Sequence, residues 1–288
     1  MAMTPFNKAA ALVLFAAASA IYAESPQTQA RLTVVPAGNV DWGYLNPARG
    51  ELSPGAANLW GDRAVDTATG MLVRFDKGFQ SPPHIHNITY RGIVIKGQMH
   101  NDDPDAQPMW MPATSFWTQP AGADHITAAA AADNQIYLEI DAGPYRVQPS
   151  SKAYDNGEHP LNVHADNLVW QDGGELYSLQ ADDVEAAPLW QSDTGVNGAM
   201  IRLPAGFSGF IKTQANEFRA VLIAGEIDYS STGAVKAVSS SSSLKAGSYI
   251  ESSGTIEHEV HNQTDDPVTL YVRTDGPYIV KGNDKTRR

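Results

Sequence analysis

The chain has 288 residues, with 32 acidic against 20 basic side chains, a formal charge of −12 and no cysteine. That balance argues against nucleic acid or an anionic membrane as a partner, and without cysteine no disulfide contributes to stability. At 42% apolar, with 24 glycines and 18 prolines, the composition suits a turn-rich β protein large enough for one big or two ordinary domains.

Residues 1–23 hold one basic residue, Lys8, followed by an alanine-rich apolar run. The run suits a secretory signal and falls short of the roughly 20 residues that span a bilayer. Cleavage is expected after Ala23 or Ala20, which leaves no membrane span and places the mature protein in the periplasm or outside the cell.

From residue 34 to 148 short runs such as LVRF, TYRGIVI, SFWTQ and IYLEI alternate in polarity and are separated by Gly, Pro, Asn and Asp, the pattern of strands. The segment HIH at 84–86 sits among them. Residues two apart share one face of a strand, so His84 and His86 can aim both imidazoles into one cavity. Pro82 and Pro83 hold the approach extended. Tyr90 and His100 follow, and His125 comes soon after the turn Pro120-Ala121-Gly122. The acidic block 101–105 lacks the spacing of a calcium loop and reads as solvated. Trp110 and Trp117 are expected in core packing, with pocket lining as the alternative.

Residues 149–167 are polar, broken by Gly157 and Pro160, and read as a linker between domains. Their His159 and His164 fit no common metal spacing. Residues 168–288 repeat the first unit. GMLVRFDKGF (70–79) matches GAMIRLPAGF (198–207), and TYRGIVIKG (89–97) matches EFRAVLIAG (217–225), both at a shift of 128. Residues 123–145 match 256–278 at a shift of 133, both ending in Gly-Pro-Tyr. At these shifts Lys212, Gln214 and His258 stand for His84, His86 and His125. The second unit is therefore expected to hold no metal, and Arg91, retained as Arg219, is expected to be structural.

Gly78, the His84-Ile85-His86 segment and Gly97 resemble the first cupin motif, and Pro120 to His125 resembles the second. The chain is similar to a tandem bicupin: all-β, two jelly-roll (double-stranded β-helix) domains from an internal duplication. It resembles the secreted cupin family known only as a domain of unknown function and, more distantly, the zinc-binding cupin of anti-sigma factors. The family usually supplies a glutamate ligand three or four residues after HxH, where this chain has Tyr90 and Arg91. The resemblance thus implies a ligand set of His84, His86 and His125.

Three neutral imidazoles suit one divalent transition metal per chain, zinc or iron foremost, with nickel, copper and manganese also accommodated. His100 is a candidate fourth ligand or acid/base group, with a surface position beside the acidic loop as the alternative, and Tyr90 a candidate for handling protons or bonding metal-bound water, with pocket filling as the alternative. Two functions follow: an exported metal-dependent enzyme on a small oxygenated organic molecule, or a metal-dependent ligand-binding or sensing module. Three-His cupin centres are familiar in dioxygenases of diketones and hydroxyketones, which the resemblance implies and the spacing does not show. A homodimer is expected from the resemblance alone.

Overall fold

Runs of β-branched and aromatic residues form strands wherever one face can be buried, and they account for the architecture of the described residues. These are 30–175, 177–233 and 242–283 of a computed structural model. The leader expected over 1–23 lies outside them. Among the described residues twenty-three strands and four short 3-10 helices build two jelly-roll lobes, and none of these helices is long and apolar enough to cross a membrane.

One sheet of the first lobe runs in the order Leu161–Val163, Phe116–Gln119, Tyr90–Lys96, Asn134–Ile140, Thr69–Phe75, Gly55–Trp60, Gly43–Tyr44. The matching sheet of the second lobe runs Arg31–Val35, Tyr249–Ser253, Phe218–Ala224, Val268–Thr274, Asn197–Leu203, Glu185–Gln191. The edge strands are exchanged. Arg31–Val35, at the start of the chain, adds to the second lobe with Val35 opposite Tyr249. Leu161–Val163, within the expected linker, adds to the first lobe with Val163 opposite Phe116. Each lobe therefore completes its sheet with the other repeat's first strand.

These two sheets pack on each other. Leu72, Ile93 and Tyr137 of the first lobe share one buried cluster with Met200, Ile223 and Tyr271 of the second. Arg91 lies over the Trp190 ring at 3.7 Å, and Arg219 lies over Trp60 at 4.0 Å. Each tryptophan donates to a tyrosine, Trp60 to Tyr137 at 3.1 Å and Trp190 to Tyr271 at 2.9 Å. Buried Glu139 accepts from both tyrosines, at 3.0 and 2.7 Å, and faces Arg91 and Arg273 at 3.6 Å each. Arg91 thus belongs to the seam between the lobes, where its carboxylate partners satisfy a charge that burial would otherwise penalise.

The outer sheets differ. In the second lobe six strands are continuous: Tyr177–Gln180, Tyr278–Gly282, Ser208–Thr213, Ile256–His261, Glu226–Thr232, Ser242–Lys245. In the first lobe the counterpart is split into two pairs, Val147–Pro149 with His84–His86 and Met99–Asp102 with Ile126–Ala129. Isolated bridges Gln80–Ala128 and His84–His125 join them. Between those bridges one strand advances four residues and the other three, so one extra residue is accommodated across Ser81-Pro82-Pro83. Prolines cannot donate to a ladder, and a bulge is where a strand tolerates them.

Candidate metal centre

The bulge sets which side chains face the interior. His84 and His86 emerge from it on the inner face, and the bridge from His84 to His125 brings the third imidazole alongside, with backbone bonds of 3.0 Å in both directions. Ring centroids are 4.3 Å apart for His84 and His125, 5.0 Å for His84 and His86, and 5.2 Å for His86 and His125. One nitrogen from each lies within 4.8 Å of the others, and all three residues are buried.

Each ring is positioned by its surroundings. His84 Nδ1 lies 2.9 Å from the Pro82 carbonyl and His125 Nδ1 lies 3.1 Å from the Ala123 carbonyl. A carbonyl only accepts, so both Nδ1 atoms carry the proton and both Nε2 lone pairs remain for the cavity. Tyr90 Oη lies 3.3 Å from His125 Nε2 but donates its proton to Asn101 Oδ1 at 2.9 Å. Asn101 is fixed in turn: Oδ1 also accepts from Thr127 at 2.8 Å, and Nδ2 donates to Gln119 Oε1 at 3.0 Å. The Tyr145 hydroxyl is 3.1 Å from His86 Nε2, its ring stacked on the imidazole at 4.3 Å.

Burial holds the imidazoles neutral. His125 is lowered to about 3, chiefly by burial and then by His84. His86 falls well below the ordinary histidine value because it is buried, with His125 and His84 adding repulsion. His84 is lowered by burial, opposed by its bond to Pro82 and by the charge of Asp124. Burial raises Tyr90 and Tyr145, which stay neutral hydroxyls.

The donor set therefore fits a divalent metal: three neutral imidazoles, two with Nε2 lone pairs committed to no donor, converging on one point. Among the described residues no carboxylate joins them. The cluster opens into a cavity of about 840 Å³ whose lining includes His84, His86, Tyr90, Asn101, Trp117, Thr127 and Tyr145. Trp117 covers the strand flatly at Gly92, where a Cβ would stand 2.2 Å from the indole.

His100, a candidate for the cluster with a surface position as the alternative, is at neither. It neighbours Asn101 on the strand Met99–Asp102 and faces the opposite side, buried with its ring 6.0 Å from Trp110. Strand alternation gives the cavity to Asn101 instead. Tyr145 was missed; the only signal was the Gly-Pro-Tyr ending shared by both repeats.

The second lobe corrects the alignment of the repeats. His258 stands opposite Ile211, as His125 stands opposite His84. The inward residues are accordingly Ile211 and Thr213, 2% and 1% exposed, and not Lys212 and Gln214. Without the bulge the strand keeps its phase, and a one-residue offset exchanges the faces. His258 has both ring nitrogens engaged, Nδ1 with Tyr229 at 2.8 Å and Nε2 with Ser252 at 3.0 Å.

A family model described as Domain of unknown function (DUF4437) matches residues 33–281. No curated protein matches the sequence. Among solved structures, a candidate dioxygenase from Nostoc punctiforme superposes with a TM-score of 0.62 at 15% identity, covering 88% of this chain and 84% of that one. A formate complex of oxalate decarboxylase from Lactobacillus farciminis gives 0.54 at 11% identity, covering 87% of each chain. AerE from Microcystis aeruginosa gives 0.51 at 12%, covering 83% of this chain and 97% of that one. At such identities the likeness shows the shared cupin fold alone.

Proposed function

We propose, for a chain that belongs to the family described as Domain of unknown function (DUF4437), that the first lobe is a metal-dependent enzyme acting on a small oxygenated organic molecule. The carrying observation is the convergence of three neutral imidazoles, two of which line a cavity large enough for a ligand. His84, His86 and His125 would hold the ion; zinc or iron suits this set best, with nickel, copper and manganese also compatible. When bound, such an ion supplies Lewis acidity and, as iron, redox capacity, with its charge undiminished by a carboxylate ligand.

The chain's own residues hold and orient. The Tyr90 proton is committed to Asn101, so its oxygen presents a lone pair to the cavity, whereas the Tyr145 proton, now facing His86 Nε2, would be freed for a ligand once that nitrogen held an ion. Together they distinguish acceptor from donor atoms on a ligand. Trp117, Ile136 and Leu138 supply apolar wall and exclude water. Both hydroxyls stay protonated, so the protein contributes positioning rather than a charged base. A dioxygenase-like reaction needs no charged protein base and is compatible with that. The segment 1–23 supports export as part of this reading.

Oxygen uptake tests it. Metal-free protein is loaded anaerobically with Fe(II), diketones and hydroxyketones are added, and dissolved O₂ is followed beside His86→Ala. Uptake that needs both the ketone and His86 is expected. No uptake across the panel, with zinc retained from the native host, would instead support a second reading, a metal-dependent binding or sensing module. The neutral hydroxyl-and-amide surroundings, which hold a ligand without accepting its proton, favour that alternative.

A further inference from the structure

The chain has acid to spare, and it uses acid to neutralise its seam arginines. Arg91 pairs with Asp141 at 2.8 Å, Arg219 with Glu251 at 3.2 Å, and Arg273 with Asp141 at 2.9 Å and Glu217 at 2.8 Å. The metal cavity is treated differently. Arg49, Arg63, Arg146 and Lys152 line it against one acid, Asp62. Among the described residues none of the four makes an ion pair. In a chain of formal charge −12, a rim on this cavity with four cations against one acid selects for a negatively charged occupant.

Two of the four are anchored beside the site, Arg63 by its side chain and Arg146 by its backbone. Arg63 is held by neutral oxygens, Nη1 on Asn58 Oδ1 at 2.6 Å and Nη2 on the Tyr44 carbonyl at 2.9 Å, which orient the guanidinium, and the charge of neighbouring Asp62 acts on it without forming an ion pair. Its own carbonyl accepts from the Tyr145 amide at 2.9 Å. Arg146 is tied to the histidine strand through Asn87, which accepts from the Arg146 amide at 2.8 Å and donates to the Pro144 carbonyl at 2.9 Å. Tyr145 therefore connects both arginines to the centre: its backbone touches one, the other is its neighbour, and its hydroxyl reaches His86. The rest of the lining is largely apolar, with Leu45, Phe75, Phe79, Ile136 and Leu138 contributing.

We infer that the ligand is an amphipathic carboxylic acid, with an oxygen-bearing end at the histidines, an apolar body along Phe75 and Phe79, and its carboxylate at Arg63 and Arg146. This deepens the reading of the cavity as the ligand site and rests on it. A guanidinium presents a planar fork of donors that suits a carboxylate better than a neutral oxygen, and the apolar wall disfavours a small, fully hydrated anion.

The test compares three probes of one shape, 6-phenylhexanoate, 6-phenylhexanol and 6-phenylhexylamine, by calorimetry on zinc-free and zinc-loaded protein. The acid should bind about tenfold or more tightly than the other two in both forms, as a charge-assisted contact implies. Added salt should reduce that preference. Arg146→Gln, an exposed side chain with little to lose in folding, should weaken the acid by roughly threefold or more, the range of a rim charge. Arg63→Gln combined with it should abolish the preference while zinc content stays that of wild type. Equal binding of the three probes, no binding of the acid, or a preference that survives the double variant would overturn the inference. Zinc that is not retained, with the preference intact, would count against the metal reading and leave the carboxylate assignment standing.

Discussion

His125 and His258 occupy one position in two copies of one fold, and their ring nitrogens have opposite fates. His125 keeps Nε2 without a proton donor, because Tyr90 donates to Asn101. His258 gives one nitrogen to Tyr229 and the other to Ser252, with Phe218 stacked on the ring at 5.0 Å. At the repeat's shifts these three residues stand for Asn101, Gln119 and Tyr90. Around them Ile211 and Val260 fill the interior, where the first lobe has its cavity. A histidine becomes a ligand through what its neighbours leave undone, and the second lobe has turned the same histidine into core.

The difference in strand phase gives the largest expected effect. Deleting Ile85 leaves the bridge from His84 to His125 but makes the two histidines adjacent, and neighbouring residues of a strand point to opposite faces, so His86 should leave the cavity. Dialysed protein should then carry no metal while its far-ultraviolet circular dichroism stays that of a β protein. Retained metal would show that strand phase does not set the site.

The seam comes next, because it joins what the repeat made alike. Arg273→Met leaves Glu139 buried beside two tyrosines with Arg91 as its remaining cation. Loss of one partner from a buried ionic cluster should cost about 3 kcal/mol in urea unfolding. An unchanged midpoint would mean that apolar packing and strand exchange suffice to hold the lobes together.

The smallest effect is a pH dependence that isolates the second lobe. Burial lowers His258 to about 3 from an ordinary value of 6.5, so between those values the unfolded chain binds the extra proton. Its contribution to stability is complete above 6.5 and is lost as pH falls toward 3, at a slope approaching about 1.4 kcal/mol per pH unit. Comparing urea midpoints at pH 6 and pH 5 should show His258→Gln with a shallower decline than wild type. Parallel declines would place the proton uptake elsewhere.

Much of this was legible from residues: period-2 runs mark the strands, the two shifts mark the duplication, and His84, His86 and His125 stand out through the resemblance to the two cupin motifs. Strand phase was not. A bulge adds one residue without changing local polarity, so the alignment placed Lys212 and Gln214 where the fold places Ile211 and Thr213. His100 is a histidine near the motif but on the wrong face of its strand, which only register reveals. Tyr145 reaches the site from the far end of the repeat, and no local pattern ties it to His86. The exchanged strands Arg31–Val35 and Leu161–Val163 depend on which lobe each edge meets, a long-range choice that short apolar runs do not encode.

Elemental analysis of protein from its native host, alongside His84→Ala, His125→Ala and His258→Ala, tests the central claim most directly. One divalent transition-metal ion per chain is expected in wild type and in His258→Ala, with none in His84→Ala or His125→Ala. Two ions per chain, or full retention in His84→Ala, would contradict the assignment of a single centre to the first lobe.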